Sequence, residues 1–236
     1  MVGLLVGILA VTSSCYEQRT EPEPHFTVAE PASAPFSDSG TAARDLWLND
    51  AAEETGIPRR ALVAYVQADL RAQELYGCTV GWNTLAGIGH VESRHGTYGG
   101  SEIDADGVAR PAIIGIPLNG ENGTAQIPDT DGGVLDGDTT WDRAVGPMQF
   151  IPQTWETFGM DANGDGVADV HNIDDAALSA ARYLCYRRGS LDDEDTWIAA
   201  IRAYNNSVEY QHRVTTAAQR YANAVEPEDS ETEDDD

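Results

Sequence analysis

Positive charge is scarce in this chain. Lys and Arg total 14 against 40 Asp and Glu, a formal net charge of −26 over 236 residues. Such a surface repels a nucleic-acid backbone and offers no basic patch to anionic lipid. Acidity of this kind keeps exported proteins soluble and monomeric, and a monomer is expected. Long apolar runs are missing too. Met1 to Val11 is apolar but too short to span a bilayer alone. With Ser13 and Ser14 behind it, the run matches the h-region of an export signal. No Lys or Arg precedes it, so a membrane anchor beginning further upstream is a second reading. Cys15 directly after the serines loosely fits a lipoprotein cleavage site, which is a third. Cysteine is limited to three residues, and neither CxxC nor HExxH spacing occurs, which argues against a Cys/His metal site. No internal repeat is visible.

Glycine is plentiful, at 23 residues, many of them between positions 96 and 166. The length suits one sizeable domain with tails. Residues 1–14 are expected to be the signal or anchor. Residues 15–41, rich in Pro, Glu, Ser and Ala without apolar periodicity, read as a flexible linker. Residues 42–225 are the expected folded domain, and 226–236 a like-charge tail that cannot pack. Within the domain the periodicity is helical. Helices are predicted over Ala42–Glu54, from Pro58 past Leu70, over Trp82–His95, Gln153–Phe158, Asp174 to near Gly189, Asp195–Tyr204 and Val208–Tyr221. Pro58 suits a first helical turn. The Gly/Asp/Pro-rich stretch Thr97–Trp141 is too long for an ordinary connection and is expected to be a lid or binding flap, with a short hairpin near Ile113–Ile116.

Glu92 lies in Gly87-Ile-Gly-His-Val-Glu-Ser-Arg-His-Gly96, the last turns of a helix. Backbone carbonyls make that end negative and disfavour an anion. A carboxyl held there tends to keep its proton near neutral pH, as a general acid must. Gly87 and Gly89 beside it would let another backbone, or a sugar, approach closely. An isolated Glu near a helix end is otherwise an ordinary solvated residue. Gln149 sits between Met148 and Phe150, after a Gly-Pro turn. A buried amide needs partners, which either backbone or a bound sugar could supply. Asp161-Ala-Asn-Gly-Asp-Gly-Val-Ala-Asp169 places oxygens at positions 1, 3, 5, 7 and 9 of a calcium loop, through Asp161, Asn163, Asp165, the Val167 carbonyl and Asp169. Gly166 takes the sharp turn. Position 12 is Asn172, so the closing carboxylate must come later, from Asp174 or Asp175. Tyr204-Asn-Asn-Ser207 alone reads as caps and turn residues. In an exported chain Cys78 and Cys185 are natural disulfide partners, the alternative being free thiols.

Together these motifs resemble the lytic murein transglycosylase B-like family, in the form found in actinobacteria. The likeness covers roughly Ala42 to Tyr221. It is carried by Gly89-His-Val-Glu-Ser-Arg-His-Gly96, Asp129-Thr-Asp-Gly-Gly133, Trp141-Asp-Arg-Ala-Val-Gly-Pro-Met-Gln-Phe-Ile-Pro152, the Asp161 loop and Ala203-Tyr-Asn-Asn-Ser207. The resemblance implies a mainly α, lysozyme-like domain with an inserted EF-hand-like calcium loop and a long Gly/Asp-rich flap. It implies Glu92 as the single catalytic acid, and Gln149, Tyr204 and Asn205 as substrate contacts, with Ser93 and Met148 from the same motifs joining them. It implies Ca²⁺, as a structural ion and the only cofactor, with Asp175 closing its loop.

The implied substrate is the peptidoglycan glycan strand, cut between N-acetylmuramic acid and N-acetylglucosamine. The implied product ends in a 1,6-anhydro ring, and the implied place is the cell envelope or outside the cell. Tyr98, Trp141 and Tyr204 are candidates to pack on sugar faces. Two rivals stand beside this reading. A hydrolytic muramidase needs a second carboxylate, for which Asp129, Asp131 and Asp142 are candidates. An inactive wall-binding module would leave Glu92 idle.

Overall fold

The computed structural model describes residues 28, 30–35, 41–186 and 189–225. Seven helices carry the fold: α1 (Thr41–Thr55), α2 (Arg59–Tyr76), α3 (Trp82–Ser93), α4 (Pro152–Phe158), α5 (Ile173–Cys185), α6 (Glu194–Tyr204) and α7 (Val208–Val225). Their ends follow local chemistry. Pro58 precedes α2, where a missing N–H costs nothing, and Gly77 closes it in the left-handed region at φ 59°, its N–H bonding Gln73 O. Asn172 caps α5 by accepting from Asp174 N, and Asp193 caps α6 by accepting from Thr196 N. Acidic residues fill both first turns, where the helix dipole favours them.

α3 is the buried axis of the domain, with every residue from Trp82 to Gly89 inside. It packs chiefly on α7, while α2 packs on α5. The glycines of α3 explain the closeness. A Cβ on Gly87 would stand 2.9 Å from Val214 O on α7, and one on Gly89 would strike the Tyr65 hydroxyl on α2. These glycines admit a backbone and a phenol, not a sugar. Leu62, Leu85, Ile88, Leu178 and Ile201 are fully buried around α3, each contributing about 1.5–3 kcal/mol of burial.

Cys78 and Cys185 form a disulfide with Cα atoms 6.1 Å apart, across a sequence separation of 107. It joins the segment leading into α3 to the C-terminal end of α5. A loop that long loses roughly 4–5 kcal/mol of denatured-state entropy in the chain-entropy account.

Residues 97–141 fold down as a small β layer. β1 (Glu102–Ile103) pairs antiparallel with β2 (Ala109–Arg110). β3 (Ile114–Pro117) pairs with β4 (Arg143–Val145). The hairpin expected near Ile113–Ile116 is therefore corrected: that segment is one strand whose partner lies beyond the excursion. The excursion is also pinned to α5, since Ile173 N donates to Gly107 O and Ala109 N to His171 O.

Part of the expected linker lies against the domain. Ala32 N donates to Asn83 Oδ1, Asn83 Nδ2 donates to Glu30 O, and Val28, Ala32 and Ala34 pack on the core. The buried Asn83 amide at the start of α3 needs such partners, which apolar periodicity does not register. The expected signal or anchor at 1–14, most of the linker and the tail at 226–236 lie outside the described residues. Among the described residues no helix is long and apolar enough to cross a membrane.

Candidate active site

Glu92 occupies the last turn of α3, which stops at Arg94 in the left-handed region at φ 53°. Its carboxyl is partly buried. Tyr210 of α7 donates its hydroxyl to Glu92 Oε1 at 2.6 Å. Burial pushes the carboxyl up to about 7, against the pull of the Tyr210 hydrogen bond and the Arg213 charge, both of which favour the ionised form. Desolvation is the main cause, where the sequence offered the helix end as the reason. At neutral pH the group is thus divided between donor and acceptor forms.

Glu92 opens on a cavity of about 260 Å³ lined also by Leu118, Ala144, Gln149, Phe150, Thr154, Tyr183, Tyr204 and Asn205. Gln149, Tyr204 and Asn205, distant in sequence, are brought together with Glu92. Gln149 ends a turn closed by paired hydrogen bonds between Val145 and Phe150, at 2.8 and 2.9 Å. It holds φ 50°, a conformation costing on the order of 1 kcal/mol or more for a residue with a Cβ. Its Nε2 donates to Gly146 O at 2.9 Å, and its Oε1 lies beside Gly115, where a Cβ would be only 3.1 Å away.

Tyr204 ends α6 and donates to Met148 O at 2.8 Å. Its ring lies parallel to that of Tyr210, 6.5 Å between centroids, and edge-on to Phe150 and Tyr183. An aromatic wall of this kind suits a sugar ring, whose C–H face is apolar. Asn205 is exposed and bonds the following turn, accepting from Ser207 N at 3.0 Å.

Ser93 and Met148, expected as substrate contacts, lie elsewhere. Ser93 is buried and donates to Pro147 O at 2.6 Å while accepting from Gly96 N at 2.8 Å. It ties the end of α3 to the Gln149 turn. Met148 is fully buried beneath that turn. Both shape the cavity wall from behind, because a motif records proximity in sequence and not the side a residue faces. Tyr98 and Trp141 do not line the cavity either. Tyr210 and Tyr183 were missed. Tyr210 contacts Glu92 across 118 residues, and nothing local to it marks the role.

None of the second-carboxylate candidates lines the Glu92 cavity. Asp142 is fully buried and accepts from Thr130 N and Oγ1. Asp129 and Asp131 accept the backbone N–H groups of the turn from Asp131 to Leu135. The three carboxylates cluster within 4.8 Å of one another. Glu92 is the one carboxylate among the residues lining its cavity.

In the Asp161 loop, Asp161 accepts from Gly164 N and Gly166 N, and Asp165 from Val167 N. Gly166 takes φ 93°. Asp174 is committed to Arg60 through a two-pronged ion pair. The fully buried Asp175 turns back into the loop and accepts from Ala162 N, Asn163 N and Asp169 N. Of the two closing candidates, Asp175 is the one that meets the loop. Asp169 is partly buried at the far side, and Val167 is exposed. Among the described residues no three acidic or histidine side chains of this loop come within 4.8 Å of one another.

Residues 131–234 match the family model described as the transglycosylase SLT domain; Glu92 and α1 to α3 lie outside that span. No curated protein matches the chain. Several solved structures are similar. The Escherichia coli lytic transglycosylase Slt35 in complex with bulgecin A is 17% identical, covering 76% of this chain and 79% of its own, at a TM-score of 0.46. Soluble lytic transglycosylase SltB1 from Pseudomonas aeruginosa is 16% identical over 77% of this chain and 82% of its own, at 0.47. SltB3 from Pseudomonas aeruginosa, in complex with NAG-anhNAM-pentapeptide, is 17% identical over 77% and 67%, at 0.42.

Proposed function

We propose that this chain, whose residues 131–234 match the transglycosylase SLT domain family, cleaves peptidoglycan between N-acetylmuramic acid and N-acetylglucosamine with Glu92 as its single acid and base. The observation that carries this is the state of Glu92: one desolvated carboxyl, held by Tyr210 and raised to about 7, in a cavity lined by no other carboxylate. Protonated Glu92 gives its proton to the glycosidic oxygen as the bond to C1 breaks, and the N-acetylglucosamine hydroxyl leaves. The acetamido oxygen of the muramic acid traps C1. Ionised Glu92 then takes the proton of the C6 hydroxyl, O6 attacks C1, and the acetamido group departs. The acid is restored and a 1,6-anhydro end results. An intramolecular nucleophile needs no second carboxylate to activate water, and the sugar ring positions it beforehand. Gln149 and Tyr204 supply the polar and aromatic contacts to the sugar, and Asn205 lies at the exposed edge of the cavity.

A hydrolytic muramidase would require a base aimed at water, and Asp129, Asp131 and Asp142 are bound up in their own turn. The products of a peptidoglycan digest decide between the two. Mass analysis should find anhydro ends; reducing ends in their place would establish hydrolysis. Glu92→Gln should lose wall-solubilising activity by about a thousandfold or more. A variant that solubilises wall as fast as the parent removes Glu92 from its role.

The oxygen donors of the Asp161 loop fit Ca²⁺ by type and order: Asp161, Asn163, Asp165, the Val167 carbonyl and Asp169, with Asp175 closing. The ion would cross-link the loop to α5 and take no part in bond cleavage. Addition of Ca²⁺ to chelated protein should raise its melting temperature by several degrees, and Asp161→Ala should abolish that rise. The disulfide supports a place outside the cytoplasm, in the cell envelope or secreted.

A further inference from the structure

A second cavity, of about 270 Å³, lies between α3 and α7 and is lined by His90, His212, Arg213, Thr216, Ala217 and Arg220. Among the described residues no carboxylate lines it. That is unusual here, since acidic residues outnumber basic ones by 40 to 14. Four ion pairs occur among the described residues, and they use Arg59, Arg60, Arg110 and Arg143. Neither Arg213 nor Arg220 is in one of these pairs, although the Arg213 charge reaches the largely desolvated Glu92 carboxyl on its other side. Both face the cavity beside two histidines, and Arg94 adds a third guanidinium to the field at His90.

The wall behind the cavity is built. Arg220 stacks on the Tyr221 ring, its guanidinium 4.7 Å from the centroid. The Tyr221 hydroxyl meets His90 Nδ1 at 3.1 Å and the buried His95 Nε2 at 2.8 Å, and Tyr65 holds the other His95 nitrogen at 3.2 Å. His90 Nδ1 is thereby engaged, which leaves Nε2 as its remaining polar atom. Like charges gathered in one cavity repel one another. An oxyanion would relieve that repulsion and accept from guanidinium forks and imidazole together.

We propose that this cavity is an oxyanion site, taking a carboxylate or phosphate group. The catalytic cavity is its neighbour: α3 carries both His90 and Glu92, and α7 carries both Tyr210 and Arg213. Two sources share the chemistry, a carboxylate on the peptide borne by the glycan and free inorganic phosphate. Only the first source rests on the proposed function.

The full chain, at constant ionic strength, is titrated with inorganic phosphate while the imidazole resonances of His90 and His212 are followed. Saturable shifts are expected. Arg220→Gln and, separately, Arg213→Gln should weaken binding about tenfold each, with melting temperatures confirming the fold. An N-acetylated dipeptide with a free terminal carboxylate and its terminal amide form the second arm. Competition by the acid but not the amide assigns the site to a glycan-borne carboxylate; saturation by phosphate alone assigns it to the free ion. Shifts that never saturate, or folded variants that both bind as the parent does, overturn the site. Since no glycan is cleaved in the phosphate titration, its outcome is independent of whether Glu92 is the acid.

Discussion

Burial of Glu92 costs the fold stability at neutral pH. Its carboxyl is raised from the ordinary range to about 7 by burial. The native state therefore keeps a proton that the unfolded chain gives up near pH 4.5. Between those values the native state binds more protons than the unfolded state, so stability falls as pH rises through the window. Glu92→Gln, which cannot ionise, should match the parent at about pH 4 and be more stable by up to roughly 3 kcal/mol at about pH 8. Denaturant melts at the two pH values check this, and an equal difference at both would refute it. Tyr210 acts on the same group with the opposite sign, because its hydrogen bond favours the carboxylate. In Tyr210→Phe the alkaline limb of the pH–rate profile should move up by about one unit, with a roughly tenfold loss of rate from freer motion of the acid. An unmoved limb would show that the contact does not tune Glu92.

At the scale of elements, α3 is positioned by what it lacks. Gly89 leaves room for the Tyr65 hydroxyl, which in turn reaches His95 just past the helix end. Gly89→Ala should push these apart, destabilise the domain by about 1–3 kcal/mol and displace Glu92 one turn later. Denaturation midpoints and wall-solubilising rate should fall together; a stable, fully active variant would mean the contact is slack. Most helix limits were legible in the sequence, because caps and 3.6-residue periodicity are local; α5, expected to run to near Gly189, stops at Cys185. The β layer was not legible. β3 finds its partner across the whole excursion, and a strand pairing at that range leaves no local period to read. The same reason hid the docking of residues 30–32 on Asn83, where one buried amide binds a stretch of linker.

At the scale of the molecule, the disulfide and the Asp161 loop both fasten onto α5, one at its last residue and the other at Asp175 in its first turn. Joining residues 107 apart, the bridge should matter most to the unfolded state. Replacing Cys78 and Cys185 together by Ser should lower stability by about 2–5 kcal/mol while leaving the pH profile of cleavage in place. A shifted profile would show instead that the bridge shapes the site.

From sequence alone came the mainly helical class, the acidic surface, Glu92 near a helix end, the order of oxygen-bearing side chains in the Asp161 loop and the pairing of Cys78 with Cys185. Each rests on residues near one another in the chain, or on simple scarcity. Only the tertiary structure decided that Gln149, Tyr204 and Asn205 share a cavity with Glu92, that Ser93 and Met148 stand behind its wall, and that Tyr210 touches the Glu92 carboxyl. Those are matters of which way a side chain faces once distant helices have packed, and desolvation, which raises Glu92, exists only after they have.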